Sequence, residues 1–285
     1  MQDDFIGEII RGQSPEGAFP SALHIKGREF IDWNGFITAL VLRAVSSLPD
    51  FSRRSDSRRL ALDFLERCES SSLPGAFGFW PEGRRPGFIS PLPADADDTS
   101  IITLELLKHD RIGLNRAREV ALKRLLPHRL RQVRQPSPPW IRSGVFLTWL
   151  SSSSLNVVDC CVNANVVAML AFLDLDNMPG FVEASGMIED AVRWAGSSKY
   201  RFQLITPFYP DPQEMIYALI HAIDCGADQL GNALSILEQN EWLQKRPGED
   251  SFKDLPVCGS AYGRIFWSSG LLQEVRRKVE FERSD

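Results

Sequence analysis

The chain has 285 residues, 44% of them hydrophobic, enough apolar material for a sizeable core. Its net charge is −5, and its 32 lysines and arginines are interspersed with acids instead of forming a block, which argues against a nucleic-acid partner. No apolar run reaches the roughly 18 residues of a membrane span, the amino terminus Met1-Gln2-Asp3-Asp4 is acidic where a secretory leader is basic, and Cys68, Cys160, Cys161, Cys225 and Cys258 are odd in number and too few for a disulfide framework. A cytoplasmic protein with reduced, mostly buried thiols is expected.

Along the chain, two kinds of helical segment alternate. The first kind is almost uncharged: Asn34 to Leu42, Asp98 to Leu104, Asn163 to Leu170 and Gln213 to Leu219. Helices apolar around most of their circumference must be enclosed by other helices. The second kind, 55–67, 115–134, 181–194 and 228–245, repeats apolar residues at helical spacing on one side and carries charges on the other, as a solvent-facing helix does. The pairs form a degenerate series of helical hairpins with starts near 34, 98, 163 and 213.

Uncharged helices inside and amphipathic helices outside predict an all-α, double-layer helical barrel of the (α/α)6 type with negligible strand content. Its inner helices run one way and gather their N-termini at one mouth. A plain bundle or a superhelical stack shares the local pattern. Loops rich in Gly, Pro and Ser at 71–95, 135–143 and 246–263 are long enough to suggest service to a site. No shift in composition marks a boundary, so residues 1–285 are read as a single domain, although 260–285 fits the hairpin pattern poorly and leaves the closure of the barrel open.

The most pointed chemistry lies at the start of the second inner helix. Pro91-Leu92-Pro93-Ala94-Asp95-Ala96-Asp97-Asp98-Thr99 puts three carboxylates within four residues, after prolines that hold the chain extended. One acid there is an ordinary N-cap favoured by the helix dipole. With three, repulsion and burial raise at least one pKa and leave a carboxyl protonated near neutrality, able to donate a proton. A solvated acidic turn is the competing explanation.

Asp95-Ala96-Asp97-Asp98-Thr99 resembles the DxDD(T) motif of class II terpene cyclases, the family of squalene-hopene and diterpene cyclases. Ile9, Gln13, Gly17 and Phe19 resemble the QW repeat of the same barrels, and Gly75-Ala76-Phe77-Gly78-Phe79-Trp80 resembles a second copy lacking the glutamine. The resemblance implies that Asp97 protonates a double bond of a linear isoprenoid, with Asp95 and Asp98 tuning it, so that the reaction is an isomerisation. It also implies that the QW residues are scaffold, that a prenyl diphosphate, a squalene-like chain or a prenylated aromatic is the substrate, and that no cofactor is needed except magnesium with a diphosphate. Cyclases of the hopene and bifunctional types hold substrate between two barrels and this chain has length for one. A second copy or a partner barrel would then complete the cavity, unless a single barrel encloses its own.

Substrate-contacting candidates are Trp80, Phe79 and Trp33, with Trp140, Phe146, Trp149, Phe208 and Tyr217 as further aromatics, and Asn163, Asn165 and Glu214 (with Asn34) at the inner-helix starts. Asp159-Cys160-Cys161 resembles the Asp-x-Cys zinc ligands of protein prenyltransferase β subunits. Its third ligand, His221, falls seven residues after Glu214, inside the helix, so zinc is not expected. Two functions from different classes stand: a protonation-initiated isoprenoid cyclase, and a non-catalytic barrel that binds a lipid-like ligand or a partner protein. A zinc-dependent prenyltransferase is third.

Overall fold

A computed structural model describes residues 2–46, 48, 51, 55–151, 156–244, 255–261 and 264–284. The chain begins with helix α1 (Gln2–Gly12), strands β1 (Pro20–Ile25) and β2 (Arg28–Trp33), and helices α2 (Gly35–Ser46), α3 (Ser55–Glu66) and α4 (Ala96–Lys108). Helix α5 (Leu114–Val120) runs into a π-helical turn, Ala121–Leu125. Then come α6 (Cys160–Phe172), α7 (Phe181–Ala195), α8 (Lys199–Ile205) and α9 (Gln213–Asp224). A 3-10 turn, Asp228–Leu230, leads into α10 (Gly231–Glu238) and α11 (Glu241–Gln244), and the chain closes with β3 (Pro256–Gly259), β4 (Ile265–Ser268) and α12 (Gly270–Ser284). Helices take up about half of the described residues.

The expectation of negligible strand content is wrong. A four-stranded antiparallel sheet in the order β2-β1-β4-β3 joins the amino-terminal hairpin to the carboxy-terminal strands. The hairpin turns on Lys26 and Gly27, both at positive φ, the geometry that matches the twist of the flanking strands. Ser269 Oγ donates to the Pro20 carbonyl (3.2 Å), so the two ends of the chain are also pinned together beside the sheet.

Three of the four uncharged segments become enclosed helices, while the fourth, in α9, leaves Gln213, Ile216 and Tyr217 half-buried. Every residue from Cys160 to Leu170 is buried, as is every residue from Ala96 to Leu106. Helix α2 packs on α4, α4 on α6 and α6 on α9. Side chains near the starts meet one another, Asp97 with Asn165, and so do those near the ends, Arg43 with Glu105 and Lys108 with His221. These helices therefore run in the same direction. The element that fitted no hairpin packs beside them: α12 lies on α2, and its Arg276 grips Glu214 of α9 through two hydrogen bonds of 2.6 and 2.9 Å.

Amphipathic helices cover the outside, α3 on α2 and α7 on α6. Two of the expected outer helices are shorter than their periodicity suggested. The 115–134 segment leaves helix at Leu125, before Pro127, and Leu130 then exchanges backbone hydrogen bonds with Gly144 and Val145. The 228–245 segment breaks into the 3-10 turn, α10 and α11.

The QW-like residues act as ties. Gln13 donates to the Gly17 and Ser57 carbonyls and accepts from the Ser57 hydroxyl, binding the end of α1 to α3. Gly17 has φ +101, and a Cβ there would lie 1.9 Å from the Leu60 carbonyl oxygen, so the close approach of α3 requires glycine. Phe19 is fully buried, and its N–H donates to Thr38 of α2. Among the described residues no helix is long and apolar enough to cross a membrane.

Candidate active site

The start of α4 is held by a short irregular ladder. Phe77 and Trp149 pair with Asp95 on either side, the Asp95 N–H donates to the Phe77 carbonyl (3.2 Å) and the Ala96 N–H to that of Thr148 (2.8 Å). The 71–95 loop thus fixes where the acidic run begins. Asp95 is the N-cap, in extended conformation after Pro91 and Pro93, and its Oδ1 accepts from the Asp98 N–H at 2.7 Å.

Three carboxylates in this turn are buried in three different ways. Asp97 Oδ1 accepts from Asn165 Nδ2 at 2.8 Å and Oδ2 is hydrogen-bonded to the Tyr209 hydroxyl. Burial pushes its carboxyl up to about 6, against the pull of these two donors. Asp95 is raised to about 7 by burial and by the charge of Asp97. Asp98 is 1% exposed and its oxygens receive no hydrogen bond from any N–H or hydroxyl among the described residues; its one polar neighbour is the Asp95 carboxyl, to which it can donate when neutral. Burial, then the charges of Asp95 and Asp97, drive its carboxyl well above the usual range, so it is held as a neutral acid beside Asp95.

A fourth acid, Asp159, caps α6. Its Oδ1 accepts from the N–H groups of Cys161 (2.7 Å) and Val162 (3.2 Å) and its Oδ2 from that of Phe208 (3.0 Å). Burial raises it to about 7.

The run lines a cavity of about 70 Å³ with walls from Phe36, Phe79, Trp149, Phe208, Tyr209 and Trp267. Phe79 lies against Phe36, Trp80 and Trp267, with ring centroids 5.9, 4.6 and 4.9 Å apart. Asp32 fixes the two tryptophans, accepting from Trp80 Nε1 (3.0 Å) and Trp267 Nε1 (2.8 Å), while Asn34 Nδ2 donates to it as well. Phe36 and Tyr209 also border a second cavity of about 460 Å³ lined by α2, α4, α9 and α12 together with Asn165. Asp97 is therefore bonded to the two residues, Asn165 and Tyr209, that face this larger space.

Of the sequence candidates, Asp95, Asp97, Asp98 and Phe79 meet at one cavity and Asn165 joins them through Asp97. Trp80 stands behind Phe79. Glu214 lines the larger cavity, where Arg276 neutralises it. Asn163 bonds to the backbone N–H and carbonyl of Phe146 and to the Asp159 carbonyl, a scaffold tie away from both cavities. Trp33 is a correction: it sits on the edge strand β2, 36% exposed, and lines neither cavity. Asn34 caps α2, its Oδ1 accepting from the Ile37 N–H.

Tyr209, Trp267 and Asp32 were missed. The signal for Tyr209 was present: Pro207-Phe208-Tyr209-Pro210 precedes an inner helix as Pro91-Leu92-Pro93 does. Asp159, Cys161 and His221 do not come together. Asp159 is occupied by backbone donors, Cys161 Sγ lies against Met215, His221 is hydrogen-bonded to Lys108, and no group of three metal-binding side chains forms among the described residues.

No family model and no curated protein matches the chain. Solved structures with a similar course include a protein from Actinoplanes, at 15% identity and TM-score 0.45, over 99% of this chain and 97% of that one. The type II terpene cyclase MstE from Scytonema aligns in its apo form at 13% identity and TM-score 0.45, over 99% and 97%. A variant of MstE in complex with geranylgeranyl dihydroxybenzoate aligns at 13% identity and TM-score 0.44, over 97% and 94%. These likenesses are distant.

Proposed function

We propose that the chain is a class II terpene cyclase-like isomerase, a single α/α barrel with α2, α4, α6, α9 and α12 as its inner layer, that cyclises a linear isoprenoid by protonation. The observation that carries the reading is the environment of Asp97. A proton donor to an alkene must be neutral before the step and a strong acid during it. Burial favours the neutral carboxyl, and the hydrogen bonds from Asn165 and Tyr209 stabilise the carboxylate left behind.

In the reaction, the Asp97 proton forms a new C–H bond with the electron pair of the double bond, leaving a tertiary cation. The next double bond attacks that cation to close a ring, and loss of a proton from the final cation regenerates an alkene, so nothing is oxidised or reduced. Phe36, Phe79, Trp149 and Trp267 offer π faces to the positive charge and exclude water. Asp98, neutral beside Asp95, limits the negative charge of the cluster. Magnesium belongs to the reaction only if the substrate is a diphosphate.

One observation favours the alternative of a non-catalytic lipid-binding barrel. The space beside the acids is about 70 Å³, too small for an isoprenoid, and the larger cavity lies beyond Phe36 and Tyr209. Catalysis requires these two rings to part. Incubation with linear prenyl diphosphates, squalene and prenylated aromatics, followed by product analysis, tests the reading. Cyclised product from the wild type and none from Asp97→Asn is expected. Binding without turnover by the wild type would favour the lipid-binding barrel, and product unchanged by Asp97→Asn would remove Asp97 as the acid.

A further inference from the structure

Beside the acid-lined cavity stands a buried charge that the proposed chemistry does not use. Asp32 is 3% exposed, and all of its side-chain partners are donors: Trp80 Nε1 reaches Oδ1 (3.0 Å) and Oδ2 (3.1 Å), while Trp267 Nε1 (2.8 Å) and Asn34 Nδ2 (3.0 Å) reach Oδ2. A side chain of this type that only accepts is a carboxylate. Among the described residues no lysine or arginine pairs with it.

The sheet brings this carboxylate to the cavity. Asp32 pairs with Ser21 and Trp267 with Leu23 on the two sides of β1, and Ser21 and Leu23, two residues apart, face the same way. β2 and β4 therefore turn Asp32 and Trp267 to one face of the sheet. Trp267 lines the acid-bearing space, its ring 4.9 Å from that of Phe79 and 5.9 Å from that of Trp80. Holding the indoles does not require the charge: all three donors converge on Oδ2, and a neutral amide oxygen in that place would accept from each of them. A buried charge without an ionic partner is costly, and this one is bonded to a ring that walls the space where, on the proposed reading, a cation forms.

We infer that Asp32 is a positioning residue of the proposed cyclisation, a fixed countercharge that acts through the Trp267 indole and makes this wall of the cavity attract a carbocation more strongly than the rings alone would. A carboxylate that accepts from an indole N–H raises the electron density on the ring face. Its own field also reaches into a space walled by aromatic rings, where charges are weakly screened. The inference rests on the cyclase reading, because a reaction with a cationic intermediate has a use for the charge and a barrel that only stores a neutral lipid has none.

The test is calorimetric titration of the full chain with two prenyl chains of the same shape, one ending in a dimethylammonium group and the other in isopropyl. It is run at about pH 5, below the raised values of Asp95, Asp97 and Asp159, so that these acids add little charge of their own. The wild type should prefer the ammonium by about tenfold or more. Asp32→Asn should erase most of that preference and leave the affinity for the isopropyl chain unchanged, which loss of a purely structural tie would not do. Trp267→Phe removes a donor to Asp32 and should lower the preference more than Trp149→Phe, the same change on a wall indole that does not touch Asp32. This second comparison decides the matter if Asp32→Asn does not fold. Where turnover is seen, Asp32→Asn should lower kcat by about tenfold with KM unchanged. The titrations need no turnover, so failure to find a cyclised product removes the cyclase reading and leaves their outcome readable. Equal or absent binding of the two chains by the wild type would overturn the inference. So would an undiminished preference in Asp32→Asn, or equal losses in Trp267→Phe and Trp149→Phe.

Discussion

Helices α4 and α6 begin alike, each with a buried aspartate as N-cap at the start of an enclosed helix, yet the two starts are built for opposite ends. At α6, both oxygens of Asp159 are consumed by backbone N–H groups of its own helix and of the 206–212 segment, so the carboxylate holds two parts of the chain together. At α4, only Asp95 is bonded this way. Asp97 is held by side chains that could be exchanged without disturbing the backbone, and Asp98 only by the neighbouring Asp95 carboxyl. A buried acid satisfied by backbone is structure. One satisfied by side chains leaves the backbone free of it, and on the proposed reading the acids of α4 supply the reacting proton.

The largest effect expected from breaking this contrast is at Asp97. Asp97→Asn should abolish detectable cyclisation, a loss of at least about 10³-fold, since the amide keeps the shape but has no proton for an alkene. Its folding stability should change far less. Asp159→Ala should do the reverse for stability. Three N–H groups, two of them buried, lose their acceptor, and urea denaturation should show a loss of roughly 2 to 4 kcal/mol.

A smaller effect separates the donors of Asp97. The Tyr209 hydroxyl lowers the pKa of Asp97, so Tyr209→Phe should raise it. The protonated form then persists to higher pH and is a weaker acid. The alkaline limb of the pH–rate profile, expected near pH 6 in the wild type, should move up while the plateau falls about tenfold.

The smallest effect is at Asp98. Its folded pKa is raised, so its contribution to stability is fully present in acid and is lost as pH rises. Asp98→Asn removes that penalty and keeps a donor toward Asp95 at every pH. Thermal melting should show the variant more stable than the wild type above neutrality, by about 1 to 3 kcal/mol, with the gain vanishing below the ordinary carboxyl range. The raised values of Asp95, Asp97 and Asp159 have the same sign, and the wild type should lose stability between about pH 4 and 7.

How much of this was legible in the sequence depended on whether the signal was local. The enclosed helices could be read because Asn163 to Leu170 has no charge to turn outward, and the acidic run because its three carboxylates are consecutive neighbours. The sheet was not read. β3 and β4 are four residues each, too short for a periodic signal, and β4 finds its second partner in β1, more than 200 residues away. The Lys26-Gly27 turn was the one local clue. Tyr209 reaches Asp97 across 112 residues, a distance no spacing encodes, and α12 was obscure because its buried face is partly ionic, with Arg276 held inside by Glu214. Trp33 shows the opposite error. An aromatic beside an inner helix reads as a pocket wall, but strand alternation turns Asp32 inward and Trp33 outward.

The central claim is that a buried carboxyl on α4 delivers the proton that starts a ring closure. Turnover of a linear isoprenoid in heavy water, with the cyclised product analysed by mass spectrometry and deuterium NMR, tests it most directly. The wild type should place one deuterium per molecule at the carbon that receives the proton, and Asp97→Asn should give no product. Cyclised product from Asp97→Asn, or wild-type product without deuterium at that carbon, would contradict it.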